Sequence, residues 1–475
     1  MFRSSNVAAR VFERQIRTPP PGTSVHSARE FYENLVPSHT IYDIECPDHF
    51  FRKFTDDGQF LISFSRNQQE LIVYRPRWLS FSCREEDCNH DLPPKARRFD
   101  SFFTQQSCVS LASSNELIFK DFFLYMESNQ FGIFTSTTPP IHDAPAFEGA
   151  IPGVPLVEKI TFYLIRLENG DILDKKVFHN DFVNLSHNMG VFLYDNLLAI
   201  VSLRFQTIHI LQIRESGNLV DVRAIGLFCR EDDELFLNSN AQRIHSLKKK
   251  FFFHFQDYVD LIIWKVQFLD RHHLLIKFGS VDGWLSRNAD HHPAFFAVYN
   301  METTEIVAFY QNSSEELYQF FEQFCDHFHV ASGTPLYMRF ISSQSNNIHA
   351  LEQLKSIKAK ANSFPQFVKK MLGSVAYTCQ SQSPSPYFDQ SLFRFDEKLI
   401  SATDRNRLST DHPIKFITRR RPCTLKFKIK PGPEAGNADT RTKRISFLFH
   451  PFLPLALSIQ QTPYLQPSVN IHFRR

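Results

Sequence analysis

The chain has 475 residues, of which 43% are hydrophobic and 22% charged, and its net charge is +3. That length and apolar content support a sizeable buried core, and the near-neutral balance excludes binding of polyanions through overall charge. Phe is unusually frequent, at 50 residues, while Gly contributes only 15. Phe suits half-buried strands packed face to face, so sheet core is the expected place for most of these rings.

Between Ser5 and Arg17, apolar Val7, Val11, Phe12 and Ile16 recur at helical spacing, with Arg10, Arg14 and Arg17 on another face. The run stops at Pro19, Pro20, Pro21 and Gly22. Such a short amphipathic helix, set off by a proline hinge, either packs locally or docks in a groove of another protein. Residues 1–22 are therefore read as a separate unit.

From residue 39 onward the pattern changes to strands. Phe51 to Tyr74 writes out a β-hairpin, with alternating Phe60, Ile62 and Phe64 after an Asp56-Asp57-Gly58 turn, followed by Leu71 to Tyr74. Hairpins recur irregularly: Thr161 to Arg166 with Val177 to Phe182 around Asn169-Gly170, then Gly190 to Ser202 with Thr207 to Arg214. Asp260 to Phe268 precedes Leu274 to Phe278, and Ala294 to Asn300 is answered by Glu305 to Tyr310. The series continues with Pro413 to Thr418, Thr424 to Lys430, Ile445 to His450, Ala456 to Gln461 and Ser468 to Phe473. A hairpin with two apolar faces cannot stand alone, so the recurrence predicts about seven blades of a β-propeller spanning 39–475. The WD dipeptide of regular propellers is absent, which makes this a divergent WD-repeat-like propeller. Closure requires the last strand, Val469 to Phe473, to pair near the first, Thr40 to Ile44.

Loops are expected at 84–98, at 135–155 and at 231–250, from their charge, Pro and Gly content. SSEELYQFFEQFCDHF, from Ser313, carries a capping Ser, acidic first-turn residues and apolar Leu317, Phe320, Phe321 and Phe324. It opens a helical insertion over 313–372, so the predicted fold is all-β with helical insertions plus an N-terminal helix.

Chemistry-bearing motifs are sparse. No nucleophile elbow, phosphate loop, dinucleotide fingerprint or His-Glu-x-x-His occurs. Cys83, Cys88 and His90 lie close together but lack a second ligand pair at zinc-finger distance. His272-His273 and His291-His292 sit at expected turns. Neither catalysis nor any cofactor or metal is expected. The eight cysteines lack disulfide-like spacing, and no secretory signal precedes them, which points to a reducing compartment. The longest apolar stretch, Ile445 to Ile459, is broken by His450, Pro451 and Pro454 and falls short of a membrane span. Basic runs at Lys248, Lys249 and Lys250 and at Arg419, Arg420 and Arg421, with Arg441, Lys443 and Arg444, read as import signals, as patches for acidic partners or as solvated loops.

Several segments together resemble the De-etiolated-1 family in its plant form. They include NVAARVFERQIRTPPPG, FRKFTDDGQFLISFSRNQQELIVYRP, HNMGVFLYDNLLAI, DYVDLIIWKVQFLD, AFFAVYNMETTEIVAFYQNSSEELYQFFEQF and FHPFLPLALSIQQT. The resemblance runs from end to end. It implies a nuclear, non-catalytic component of cullin-four ubiquitin ligases that represses light-dependent development. The implied partners are the damaged-DNA-binding adaptor, a ubiquitin-conjugating enzyme or its inactive variant, and a small adaptor-associated subunit. Histone-tail binding with transcriptional corepression is the alternative role; neither membrane association nor sequence-specific nucleic-acid binding is implied. The resemblance favours the docking reading of the N-terminal helix, with Val7, Arg10, Val11, Phe12 and Arg14 contacting the adaptor, and the import reading of the basic runs. One departure stands out: where the family carries a longer, partly acidic insertion, this chain retains little more than Ala241 to His245. A tail-binding surface would need clustered acids, for which Glu231, Asp232, Asp233 and Glu234 are candidates.

Overall fold

A computed structural model describes residues 36–77, 98–141, 153–226, 261–280, 294–311, 316, 387, 393–396, 413–419, 421–430, 444–451, 453–461 and 468–474. The first strand, β1 (His39–Ile44), leaves its sequence neighbours and joins the end of the chain. The first sheet then follows in chain order as β2 (His49–Phe54), β3 (Leu61–Ser65), β4 (Glu70–Pro76) and β5 (Phe103–Ser110). In the second sheet, short β6 (Leu117–Ile118) and β7 (Leu124–Met126) both pair with β8 (Phe131–Thr137), followed by β9 (Val157–Arg166) and β10 (Ile172–Asp181). The third comprises β11 (Val191–Tyr194), β12 (Leu197–Ser202), β13 (Thr207–Ile213) and β14 (Leu219–Gly226). The fourth comprises β15 (Leu261–Phe268), β16 (His273–Ser280), β17 (Ala294–Asn300) and β18 (Glu305–Gln311). A three-stranded fifth contains β19 (Phe393–Arg394), β20 (Ile414–Thr418) and β21 (Leu425–Ile429). The sixth joins β22 (Arg444–Phe449), β23 (Ala456–Gln461) and β24 (Ser468–Phe473) to β1.

Every pairing within these sheets is antiparallel, and most link strands adjacent in sequence, which is the blade pattern of a propeller-like all-β fold. The described residues form six sheets, against about seven units expected from the sequence. Central strands such as LISFS in β3 and LLAIVS in β12 are buried throughout because neighbours cover both their faces. Outer strands alternate weakly; FTQQSCVS in β5 keeps only its first residue buried.

Adjacent sheets meet through continuous apolar layers. Phe60, Ile62 and Phe64 of the first sheet pack on Phe134 and Ile165 of the second. Phe162 and Leu164 of the second pack on Leu198 and Leu211 of the third. Ile208 and Ile210 of the third pack on Val266 and Ile276 of the fourth. Phe416 and Phe427 of the fifth, stacked at 4.3 Å, meet Phe449 of the sixth. Burying one such ring stabilises by roughly 1.5–3 kcal/mol, so the high Phe content is spent between blades.

The two ends of the described chain meet as closure requires. β1 pairs with β24 through Thr40↔His472 and Ile41↔Ile471. A buried polar network reinforces the seam: His472 Nδ1 lies 2.9 Å from Thr40 Oγ1, and its Nε2 lies 2.9 Å from Ser458 Oγ. Beside them Asp43 N donates to Asn470 Oδ1 at 2.8 Å, and Asn470 Nδ2 donates to Ser458 Oγ. Burial pushes the His472 imidazole down to about 3, so it is neutral at physiological pH.

The loop expected over 135–155 starts later than predicted. Thr135, Ser136 and Thr137 are the end of β8 and pair with Thr161 and Ile160 among others, with Thr135 and Ser136 fully buried. Their hydroxyls look polar in sequence, yet Ser136 Oγ is satisfied by Glu116 at 2.7 Å and the backbone by the ladder. Residues 142–152, and the expected loops at 84–97 and 231–250, lie outside the described residues. So does the 313–372 insertion except Glu316, which is helical.

Candidate protein-interaction surface

The Asp56-Asp57-Gly58 turn between β2 and β3 is held by its own side chains. Gly58 N donates to Thr55 O at 2.8 Å, while Asp57 Oδ1 accepts from Thr55 Oγ1 at 2.6 Å and from Gln59 N at 3.0 Å. Gly58 has φ +69°, and a Cβ there would collide with the His450 imidazole. That imidazole is buried between two partners: Leu453 N donates to Nδ1 at 2.9 Å, so Nε2 carries the proton and donates to Gly58 O at 2.9 Å. His450 therefore ties the β22–β23 turn to the β2–β3 turn, and burial lowers its pKa to about 4.

Asp57 also reaches the next blade, since Tyr125 OH donates to its Oδ2 at 2.7 Å and Gln130 Nε2 donates to Gln59 Oε1 at 2.9 Å. Glu127, half-buried beside Asp57 and Asp56, has its carboxyl pushed up to about 7, chiefly by burial and then by those two carboxylates. Lys53 Nζ lies 3.2 Å from Asp56 Oδ1 and over the Phe123 ring.

The acidic character continues in further turns. Asn188 Oδ1 accepts from Phe123 N, and its Nδ2 donates to Phe123 O, both at 3.1 Å. Asn188 therefore ties the approach to β11 to the start of β7; β7 leads into Glu127 and β11 into Asp195. Tyr194 stacks on Phe268 at 5.7 Å, which brings Asp195 beside the β15–β16 turn and Asp270. Asp270 is engaged locally, accepting from His272 N and His273 N at 2.7 Å and pairing with His273 Nδ1 at 2.8 Å. The first turns of four sheets thus carry acids, namely Asp56 and Asp57, Glu127, Asp195 and Asp270, of the kind that pair with Lys or Arg side chains.

Three described groups of a kind used in covalent or acid–base chemistry are held in settled environments. Burial, then Asp48, raises the Cys46 thiol to about 11, and burial raises that of Cys108, so both are protonated and weakly nucleophilic. Asp181 is raised to about 6 by burial, but its Oδ1 accepts from Ser202 Oγ at 2.8 Å and Phe182 N at 2.7 Å, which makes it a staple between β10 and β12. Among the described residues no group of three or more His, Cys, Asp or Glu could hold a metal ion, and no helix is long and apolar enough to cross a membrane.

The residues singled out in sequence fall unevenly. Val7, Arg10, Val11, Phe12 and Arg14, Lys248, Lys249 and Lys250, Arg420, Cys83, Cys88, His90, and the acids Glu231 to Glu234 lie outside the described residues. Arg419 and Arg421 are exposed in the turn between β20 and β21. Sequence reasoning missed the acidic turns, reading Asp56 and Asp57 only as punctuation. The signal was there, because an acid recurs at the first turn of successive blades: Asp56, Glu127, Asp195 and Asp270.

The family model described as De-etiolated protein 1 Det1 matches residues 120–247 and 238–475. Its two segments meet where the shortened insertion was noted at Ala241 to His245. The "Light-mediated development protein DET1" of Solanum lycopersicum is 68% identical over 523 aligned positions, and that of Arabidopsis thaliana 64% over 545, each covering 100% of both chains. Both alignments are longer than this 475-residue chain, so the relatives carry residues that it lacks. Among solved structures, Chaetomium thermophilum Raptor aligns with 95% of this chain and 30% of its own at 6% identity and a TM-score of 0.26, too low to bear on the fold. With matched segments spanning most of the chain and relatives this similar from end to end, named for light-mediated development and not for a reaction, the chain belongs to the De-etiolated protein 1 family.

Proposed function

We propose that this chain is a non-catalytic scaffold of a nuclear cullin-four ubiquitin ligase, repressing photomorphogenesis by promoting ubiquitination of its targets. The observation that carries the reading is the end-to-end similarity to light-mediated development proteins. In this reading the N-terminal helix anchors the damaged-DNA-binding adaptor, with Val7, Val11 and Phe12 in an apolar groove and Arg10 and Arg14 at its acidic rim. The blades carry the ubiquitin-conjugating enzyme or its inactive variant, and holding these partners together raises their effective concentration. The small adaptor-associated subunit completes the assembly. The protonated thiols and the staple role of Asp181 agree with a scaffold that performs no chemistry of its own.

Co-expression with the adaptor tests the anchor. Val11→Asp with Phe12→Asp abolishes co-elution on size exclusion while the melting profile is unchanged; near wild-type binding by that double variant would move the anchor elsewhere.

A second reading draws on the acidic turns at Asp57, Glu127 and Asp195. A corepressor that receives basic histone tails would use such carboxylates for Lys and Arg side chains. Tail peptides titrated against wild type and a Glu127→Gln, Asp195→Asn variant separate it: loss of binding supports it, and equal binding removes it.

A further inference from the structure

The β20–β21 hairpin carries a charge pattern that the fold itself does not use. Residues 413–430 contain Lys415, Arg419, Arg420, Arg421, Lys426, Lys428 and Lys430 and no Asp or Glu. Lys415 lies directly across from Lys428 in the ladder, and the register then skips Lys426, which is exposed beside them. Like charges directly opposite on an antiparallel pair are destabilising. Among the described residues no carboxylate pairs with Lys415, Lys426 or Lys428. The only acid among the described residues of this sheet is Asp396, just past β19. The other hairpin face is conventional core, with Phe416, Phe427, Ile414 and Ile429 buried.

The edge is unusual too. The fifth sheet has three strands among the described residues where the others have four or five, and β21 is the outermost of those three. On that strand Leu425 is 53% exposed, an apolar side chain among lysines. The turn before it is folded, with Thr418 N donating to Thr424 O at 3.0 Å, so Arg419 and Arg421 are presented at a fixed place.

We infer that the outer edge of β21 is a docking site for an acidic peptide that adds to the sheet as a further strand. Strand addition gives main-chain hydrogen bonds, and alternate side chains give selectivity. Here Lys426 and Lys428, with Lys415 behind, select carboxylates, and Leu425 selects an apolar neighbour. A ladder edge that no described strand pairs favours a peptide over a nucleic-acid backbone, which cannot satisfy alternating N–H and C=O groups. The argument uses neither the N-terminal segment nor the acidic turns, so it stands or falls independently of the scaffold reading.

The test uses the full chain and a fluorescein-labelled alternating Glu-Val peptide of strand length, followed by anisotropy. The expected result is saturable binding, weakened at least about tenfold by Lys426→Glu with Lys428→Glu and by raising salt well above 0.1 M. A peptide of the same sequence with N-methylated backbone amides keeps its charge but cannot complete the ladder, and it binds at least about tenfold more weakly. Lys428→Glu alone places an acid opposite Lys415 and raises the melting temperature, which shows that the reversal does not act by unfolding. Equal binding of the N-methylated peptide would overturn strand addition. No binding of either peptide, or tighter binding of duplex DNA lost in the same double variant, would overturn the peptide as occupant.

Discussion

Replacing His472 with Gln separates the chemistry of the closing seam from its packing. His472 is buried between Thr40 and Ser458, and its pKa falls from an ordinary 6.5 to about 3. A folded-state pKa below the unfolded value means that the unfolded chain takes up the proton first. The stabilising effect of neutral His472 is therefore complete above pH 6.5 and is lost progressively as pH falls towards 3. Between pH 7.5 and 5.5 the loss is about 1.4 kcal/mol, from one proton bound by the unfolded state at about one pH unit below its pKa. Glu127 and Asp181 act in the opposite sense, because their raised pKa values favour the folded chain as pH falls. The wild-type curve alone is thus not diagnostic, whereas the difference from the variant isolates His472. At pH 7.5 His472→Gln costs about 1–3 kcal/mol, since Gln keeps at most part of the pair of hydrogen bonds. Urea unfolding followed by circular dichroism at both pH values reads the gap, which narrows by about 1.4 kcal/mol at pH 5.5. Parallel pH dependence in wild type and variant would refute a buried neutral imidazole at the seam.

Gly58→Ala destabilises by about 1–3 kcal/mol, because the turn needs a left-handed backbone and a Cβ meets His450; a melt equal to wild type would show that the two turns are not joined as described. Glu127→Gln gains about 1 kcal/mol above pH 7 after allowance for solvent screening, and the gain shrinks as pH falls through 7 and is gone below the unfolded value of 4.5, where the carboxyl is neutral in both states; thermal melts at pH 8 and about 4 read it. A gain that persisted at about pH 4 would mean that the cost of ionising Glu127, from burial and then from Asp57 and Asp56, is not the cause.

Much of the fold was legible because central strands must be apolar on both faces. Phe60, Ile62 and Phe64, or Asn169-Gly170 with its flanking runs, announce themselves by alternation and turn chemistry. Not every outer strand was legible: β5, FTQQSCVS, faces solvent along most of its length, so period-two alternation is lost. β8 was cut short because the run into which it leads is rich in Pro and Gly, although Thr135 and Ser136 are fully buried strand residues. The candidate surface was the least visible part. Asp57 and Glu127 come together only because neighbouring blades pack their first turns side by side, and His450 meets Gly58 across 392 positions. The like-charged Lys415 and Lys428 likewise needed the register, since sequence alone counted only a basic run.

Affinity purification of the tagged chain from plant nuclei, with quantitative mass spectrometry of what accompanies it, tests the scaffold role most directly. The account predicts the damaged-DNA-binding adaptor and the cullin near one copy per chain, with the ubiquitin-conjugating partner present. Histones and corepressors in abundance, with adaptor and cullin only sparse, would contradict it.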